Sequence, residues 1–280
     1  MSMIRILTDT STGFTYDEVK KVGVEMASLP ITFDDGEYFD GLTLSTEEFY
    51  IKQKAAKNFP KTSAVNQTAF AEFFGDAKRK GDEMIVLLIS KELSATTTQA
   101  IKAKEEVGYD KIYILDTLTT ATSLIALVLE AVRMKKEGMA VLKIVAELEK
   151  LVPKTKLYAY VDTLKYLKAG GRLSGGAAII GTILGLKPIL TIVNGKIVSC
   201  HKCIGTKKAQ SYLISQLEAP SVDFGKPIYF AHTNNFAECE SLKEDTKQTY
   251  KFITGGTFNI SATVAVHSGP GAVVIALFEK

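Results

Sequence analysis

Cysteine and histidine are scarce, three of each in 280 residues. An odd number of thiols makes no closed disulfide framework, and a chain this long can build a core without one. A reducing cytoplasm is therefore the expected compartment. The run Cys200-His201-Lys202-Cys203 has no second cysteine pair or matching histidine pair. In a strand its two thiols point to opposite faces, so no metal site is expected. Blocks of one charge are also missing. Lysines and carboxylates alternate, and a net charge of +3 is too small to argue for nucleic acid. No apolar run reaches membrane-spanning length. The longest low-charge stretch, Leu173–Leu186, has fourteen residues, which suits a buried helix. Its Gly181-Thr182-Ile183-Leu184-Gly185 permits close helix packing. The first apolar run, Met3–Leu7, holds Arg5 and stops at Asp9, so it reads as a strand and not as an export signal. There is no Walker phosphate loop, no HExxH pair, no GxSxG elbow and no internal repeat.

What is present is alternation of strand and helix. Length allows two domains. In the first half, strands are expected at Met3–Leu7, Met26–Phe33, Met84–Ile89 and Lys111–Leu115. Helices are expected after the capping box Ser45–Glu48, after Asn66, after Ser94, and over Leu118–Met134 and Val141–Leu151. That order predicts a parallel sheet covered on both faces. Beyond Pro153 the pattern changes. A strand at Leu157–Val161 leads to a loop and the Leu173–Leu186 helix. A hairpin follows, Pro188–Val193 and Lys196–Cys203 about Asn194-Gly195. Helices at Thr206–Leu217 and Phe236–Tyr250 flank a strand at Pro227–His232. Two last strands, Thr257–Val266 and Ala272–Phe278, complete a mixed sheet with helices on one face.

Four stretches have residues suited to chemistry. Gly170-Gly171 precede Arg172, so the chain can turn and the arginine stands uncrowded on a loop with its forked donors free for a carboxylate or phosphate. An exposed arginine with no ligand explains this stretch equally well. Lys61–Asn66 and Ser90–Thr96 each place hydroxyls at a helix start, where free N–H groups favour an anion. Each alone is also explained as capping. His267 precedes Ser268-Gly269-Pro270-Gly271 and is able to donate to a carboxylate, or to serve only a turn. Gly269-x-Gly271 lacks the third glycine of a dinucleotide fingerprint. Ser94, His267 and Asp116 are the residues from which a hydrolytic triad would have to be assembled.

Together these motifs resemble the DegV family, which includes the fatty-acid-binding subunits of bacterial fatty acid kinase. The resemblance covers essentially the whole chain. Thr8-Asp9-Thr10-Ser11 is similar to the family's opening strand end. Thr62-Ser63 lies where the family has Thr-Ser-x-x-Ser, and Leu93-Ser94-Ala95-Thr96 is similar to Leu-Ser-Gly-Thr. Leu164–Ser174 is close to Leu-x-x-Leu-x-x-Gly-Gly-Arg-x-Ser, and His267–Gly271 matches His-x-Gly-Pro-Gly. Asn66 replaces the last serine of the first loop, and Ala95 the usual glycine of the second.

The resemblance implies an α/β, two-domain DegV-like fold. A parallel three-layer α/β/α domain would span residues 1–153, with the carboxylate-binding loops. A mixed-sheet two-layer α/β domain would span residues 154–280, with the acyl-chain pocket and the Gly-Gly-Arg loop. Thr62, Ser63, Ser94, His267 and Ser268 would surround the carboxylate of a long-chain fatty acid. Arg172 would serve phosphoryl transfer or docking of an ATP-dependent fatty acid kinase. The chain would be a carrier for acyl-phosphate formation and phospholipid synthesis, with catalysis in the partner. No cofactor, metal or nucleic acid is implied. Brief contact with a membrane surface is allowed, and the small apolar residues of Leu173–Leu186 would suit a lipid tunnel. Two rivals stand beside this reading. One is a lipid-processing serine hydrolase using Ser94 or Ser268 with His267. The other is a nucleotide or sugar-phosphate enzyme, against which the missing phosphate loop counts.

Overall fold

The computed structural model describes residues 3–174 and 184–280. The first half runs β1 (Ile4–Asp9), α1 (Tyr16–Val22), β2 (Glu25–Ala27), β3 (Pro30–Phe33), β4 (Gly36–Phe39), α2 (Thr46–Ala55), β5 (Lys61–Thr62), α3 (Gln67–Lys80), β6 (Glu83–Leu88), α4 (Thr96–Val107), β7 (Ile112–Asp116), α5 (Ala121–Lys136) and α6 (Val141–Leu151). The second runs β8 (Thr155–Tyr160), α7 (Lys165–Ala169), β9 (Leu186–Val193), β10 (Lys196–Ile204), α8 (Thr206–Ser215), β11 (Ile228–His232), α9 (Phe236–Thr249), β12 (Thr254–Asn259), α10 (Ala262–Ser268) and β13 (Val273–Phe278).

β2-β1-β6-β7 form a four-stranded parallel sheet. The unbroken apolar run of β6 is buried on both faces, as such a run requires. Val86 and Leu88 meet Phe70 and Phe74 of α3, while Ile85 and Leu87 meet Leu124 and Ile125 of α5. The expected single strand Met26–Phe33 is broken at Ser28-Leu29. Pro30 has no N–H for the parallel ladder, and the Leu29 N–H is taken by Thr10 Oγ1 at 3.0 Å. The chain therefore leaves the first sheet, and β3 joins β4 and β5 in a small antiparallel one.

The third sheet is mixed, in the order β10-β9-β8-β13-β11-β12. β9 and β10 turn at Asn194-Gly195 with φ of 49° and 80°, as a type I′ hairpin demands. β8 alternates as a half-buried strand should. Tyr158 and Tyr160 face α8 and α9, and Leu157, Ala159 and Val161 face the other way. The expectation of helices on one face only is corrected here. α5 also packs on this sheet, with Tyr229, Ala276 and Phe278 in its core, and α10 lies on the same side. An inward face of Leu157, Ala159 and Val274 has to be covered by something apolar.

One element is overturned. The expected strand Thr257–Val266 ends as β12 at Asn259, and Ala262–Ser268 is helical. The β-branched residues there favour a strand locally. Tertiary contacts override them. Ser261 Oγ accepts the Val264 N–H, the Asp40 carboxylate accepts the Thr263 N–H at 2.9 Å, and Ala262, Ala265 and Val266 bury one stripe against Ile31 and Phe49. Of the expected helix Leu173–Leu186, residues 175–183 lie outside the described residues. Leu173 bridges Ile197, and Leu186 opens β9. Among the described residues no helix is long and apolar enough to cross a membrane, and no cluster of metal-capable side chains occurs.

Candidate functional site

The two hydroxyl loops meet. β5 is held against β3 with Thr62 opposite Ile31, and the Ser63 N–H donates to the Pro30 carbonyl at 3.1 Å. The second loop leaves the carboxyl end of β6. There the buried carboxylate of Asp9 accepts the Ser11 N–H at 2.9 Å and the Ile89 N–H at 2.8 Å, tying the ends of β1 and β6 together. Burial holds its pKa above the usual carboxylate range. Thr96 joins the loops. Its Oγ1 accepts the Val65 N–H at 3.3 Å and lies 2.8 Å from Ser94 Oγ. Sequence spacing could not show this convergence. Ser94 is not the cap expected of it. Ala95 takes the cap position without a side-chain bond, and Ser94 Oγ accepts the Thr96 N–H at 3.3 Å. Thr62, Ser63, Ser94, Arg172 and His267 then line one cavity.

His267 and the Gly-Gly-Arg loop interlock. The imidazole occupies the space a Cβ on Gly170 would need. Gly170 itself has φ of −80°, so room and not backbone conformation excludes a side chain. At Gly171 the reverse holds. Its φ is 68° and nothing lies near its Cβ position. Side chains on Gly269 and Gly271 would likewise run into Tyr166 and Asp162. The two motifs are thus one packed unit, although almost a hundred residues separate them in sequence.

Arg172 is not presented freely. It is half-buried, and Nε donates to the Leu93 carbonyl at 3.1 Å and Nη1 to the Gly170 carbonyl at 2.6 Å. The guanidinium forms part of the chamber wall and steadies the residue before Ser94. Burial, with Arg172 as a nearby positive charge, pushes the His267 pKa down to about 4. The ring is neutral at pH 7. Nε2 lies 2.8 Å from Thr62 Oγ1, while Nδ1 is buried with no partner among the described residues. The proton therefore belongs on Nε2, donating to Thr62. That frees the Thr62 hydroxyl hydrogen for an anion.

A second, almost wholly apolar cavity adjoins the first. Leu157, Ala159, Leu190 and Val274 of the mixed sheet form its floor, and Ala121 and Val264 face them. Thr120, Ile197, Val264 and His267 line both cavities. Ser268 lines only the apolar one, and its hydroxyl donates to the Val264 carbonyl at 3.2 Å. It stands apart from the other four expected carboxylate ligands. Thr120 was missed by sequence reasoning, and Thr96 was named only as the end of the Ser90–Thr96 loop. The threonine-rich stretches that hold them were visible, but their direction was not.

No hydrolytic relay forms among the described residues. Ser94 pairs with Thr96, and the Asp116 carboxylate accepts the N–H groups of Lys91 and Leu118. Among the described residues, Cys200 and Cys203 belong to no cluster of three or more metal-capable side chains. The arrangement suits a ligand with one anionic end and a long apolar body.

The DegV family model matches residues 3–280. The chain belongs to the DegV family. A DegV domain-containing protein of Deinococcus radiodurans is 32% identical, with 98% of each chain covered. Among solved structures, a DegV family protein of Thermus thermophilus, described as fatty-acid-binding, superposes with a TM-score of 0.91 at 26% identity, covering 99% of this chain and 100% of that one. DegV of Bacillus subtilis, a fatty acid binding protein, gives 0.86 at 26% identity, with both chains fully covered. This chain and those two solved structures have the same overall fold.

Two departures from the family pattern acquire a location. Asn66 caps α3 through the Ala69 N–H at 2.8 Å and is exposed. Ala95 is exposed beside Ser94. Neither lines the chamber.

The buried groups of this DegV chain predict a pH response. An unfolded histidine titrates near 6.5, and folded His267 near 4. Between these values the unfolded state holds the extra proton. The His267 contribution to stability is therefore complete above 6.5 and lost as pH falls toward 4. Asp40 works the other way. Burial pushes its pKa up to about 6, so its ionisation costs stability as pH rises through that value. In thermal melts from pH 4 to 7, His267→Gln is expected to shrink the acid-side loss, and Asp40→Asn to deepen it. A His267 NMR titration midpoint near 6.5 in the native chain would contradict this account.

Proposed function

We propose that this chain is a cytoplasmic carrier that binds one long-chain fatty acid and presents its carboxylate to a separate ATP-dependent fatty acid kinase. Residues 1–153 would supply the carboxylate loops, and residues 154–280 the acyl pocket and the Gly-Gly-Arg loop. One observation carries the reading. An apolar cavity along the mixed sheet adjoins, at His267, a chamber where the hydroxyls of Thr62, Ser63 and Ser94 and the Arg172 guanidinium stand among aliphatic walls such as Leu29, Ile89 and Leu93. Fatty-acid binding by DegV relatives supports it. Each buried methylene contributes roughly 0.8 kcal/mol, so the tail supplies most of the affinity and the head group sets orientation.

Thr62 and Ser94 would hold the carboxylate, and the neutral His267 would orient the Thr62 hydroxyl toward it. In the partner's reaction a carboxylate oxygen attacks the γ-phosphorus of ATP, ADP leaves, and acyl phosphate forms. Arg172 would face the transferred phosphoryl group. The chain itself supplies no nucleophile and no cofactor.

Two measurements test the binding step. Organic extraction of denatured purified protein, followed by mass spectrometry, is expected to yield one long-chain fatty acid per chain. An empty extract together with no uptake of added fatty acid would sink the proposal. Ser94→Ala is expected to weaken fatty-acid binding by about 10- to 100-fold, the loss of a hydrogen bond to a charged group. Asn66→Ala, an exposed cap, should cost only helix stability. Equal affinities in two folded variants would remove Ser94 from the site.

A further inference from the structure

Among the described residues four side chains line both cavities, and three have evident reasons to be there. Ile197 and Val264 are apolar walls, and His267 is paired with Thr62. Thr120 is the fourth. It is only 5% exposed, and its Oγ1 is closed off from solvent with no hydrogen-bond partner among the described residues. It occupies the cap position of α5, where a threonine hydroxyl ordinarily accepts an N–H of the first turn, yet it makes no such bond. The residue after it and the one two positions before it are strained. Leu118 has φ of 51° and Ala121 has φ of 52°, left-handed values that side-chain-bearing residues seldom take. The fold thus holds a threonine at the junction, at a cost, and gives its hydroxyl nothing to bond. Valine fills the same volume with no buried polar group. A threonine on the wall of both cavities has three staggered χ1 positions in which to place its hydroxyl.

We propose that Thr120 makes this site selective for fatty acids with a hydroxyl near the carboxyl end, at the second or third carbon. The proposal rests on the fatty-acid reading above. With the carboxylate at Thr62 and Ser94, the first carbons of the chain pass the junction beside His267. A hydroxyl there would meet Thr120 and satisfy both groups, whereas an unsubstituted acid leaves Thr120 unbonded. A buried hydroxyl without a partner is penalised, and a site with a waiting polar group discriminates against a ligand that cannot use it.

The test is a crossed comparison on delipidated protein by calorimetry. The ligands are hexadecanoic acid and its 2-hydroxy and 3-hydroxy derivatives. The native chain is expected to bind one hydroxy acid at least as tightly as hexadecanoic acid. Thr120→Val is expected to bind that hydroxy acid about tenfold more weakly and hexadecanoic acid about threefold more tightly. Thr120→Ser retains the hydroxyl and should restore the native order, which separates the effect from misfolding. Parallel losses for all three acids in Thr120→Val would mean that the hydroxyl serves the carboxylate or the scaffold, and would overturn the proposal. Unchanged affinities, or rejection of both hydroxy acids by the native chain, would overturn it as well. If the native chain binds no acid at all, the carrier reading fails first and this one with it. Binding of hexadecanoic acid without the crossover defeats this proposal alone.

Discussion

Gly170→Ala is expected to unseat His267 and lower both stability and fatty-acid affinity. The added methyl group would occupy the space of the imidazole. The backbone at Gly170 already has an ordinary helical φ, so the substitution carries no conformational penalty of its own. Overpacking a close contact costs roughly 1–3 kcal/mol. Loss of the Nε2 contact that orients the Thr62 hydroxyl would weaken carboxylate binding by about 10- to 100-fold. Melting temperature and fatty-acid titration on one preparation check both effects. The decisive comparison is the double variant Gly170→Ala with His267→Ala, which removes the obstructing ring. It should melt higher than Gly170→Ala alone while still binding fatty acid poorly. If the double variant is no more stable, the ring is not what makes glycine necessary. Gly171→Ala is a useful contrast, since it meets no neighbour and bears only the cost of a left-handed φ.

Arg172→Ala is expected to remove about 100-fold of the acyl-phosphate rate measured with the cognate kinase and ATP. Its fatty-acid affinity should fall far less, by about tenfold, through the lost tether to the Leu93 carbonyl beside Ser94. The proposed reason is the fixed charge of the guanidinium at the chamber wall, where a transferred phosphoryl group would develop negative charge. Arg172→Lys keeps the charge but not the forked geometry, and should recover only part of the rate. A variant in which binding and turnover fall in equal proportion would make Arg172 a scaffold residue and nothing more.

The composition of the chain and its local patterns were enough to specify the parallel sheet. β6 and the capping boxes of the first half depend on near neighbours, and Val141–Leu151 was legible to the residue. The hairpin at Asn194-Gly195 was equally local. Residue types at Thr62, Ser94, Arg172 and His267 pointed to an anion from sequence alone. Tertiary structure decided what surrounds them. Only the fold brings Val65 to Thr96, and only the fold lays the His267 ring on Gly170. It also made Ala262–Val266, expected as the end of a strand, part of the helix Ala262–Ser268. Asp40, more than two hundred residues earlier, accepts an N–H of that helix, and its buried stripe gains more from the core than β-branched residues gain from a sheet. The direction of Arg172 was beyond sequence for the same reason. Two glycines make room for a loop, but the carbonyls of Leu93 and Gly170 determine where its arginine points.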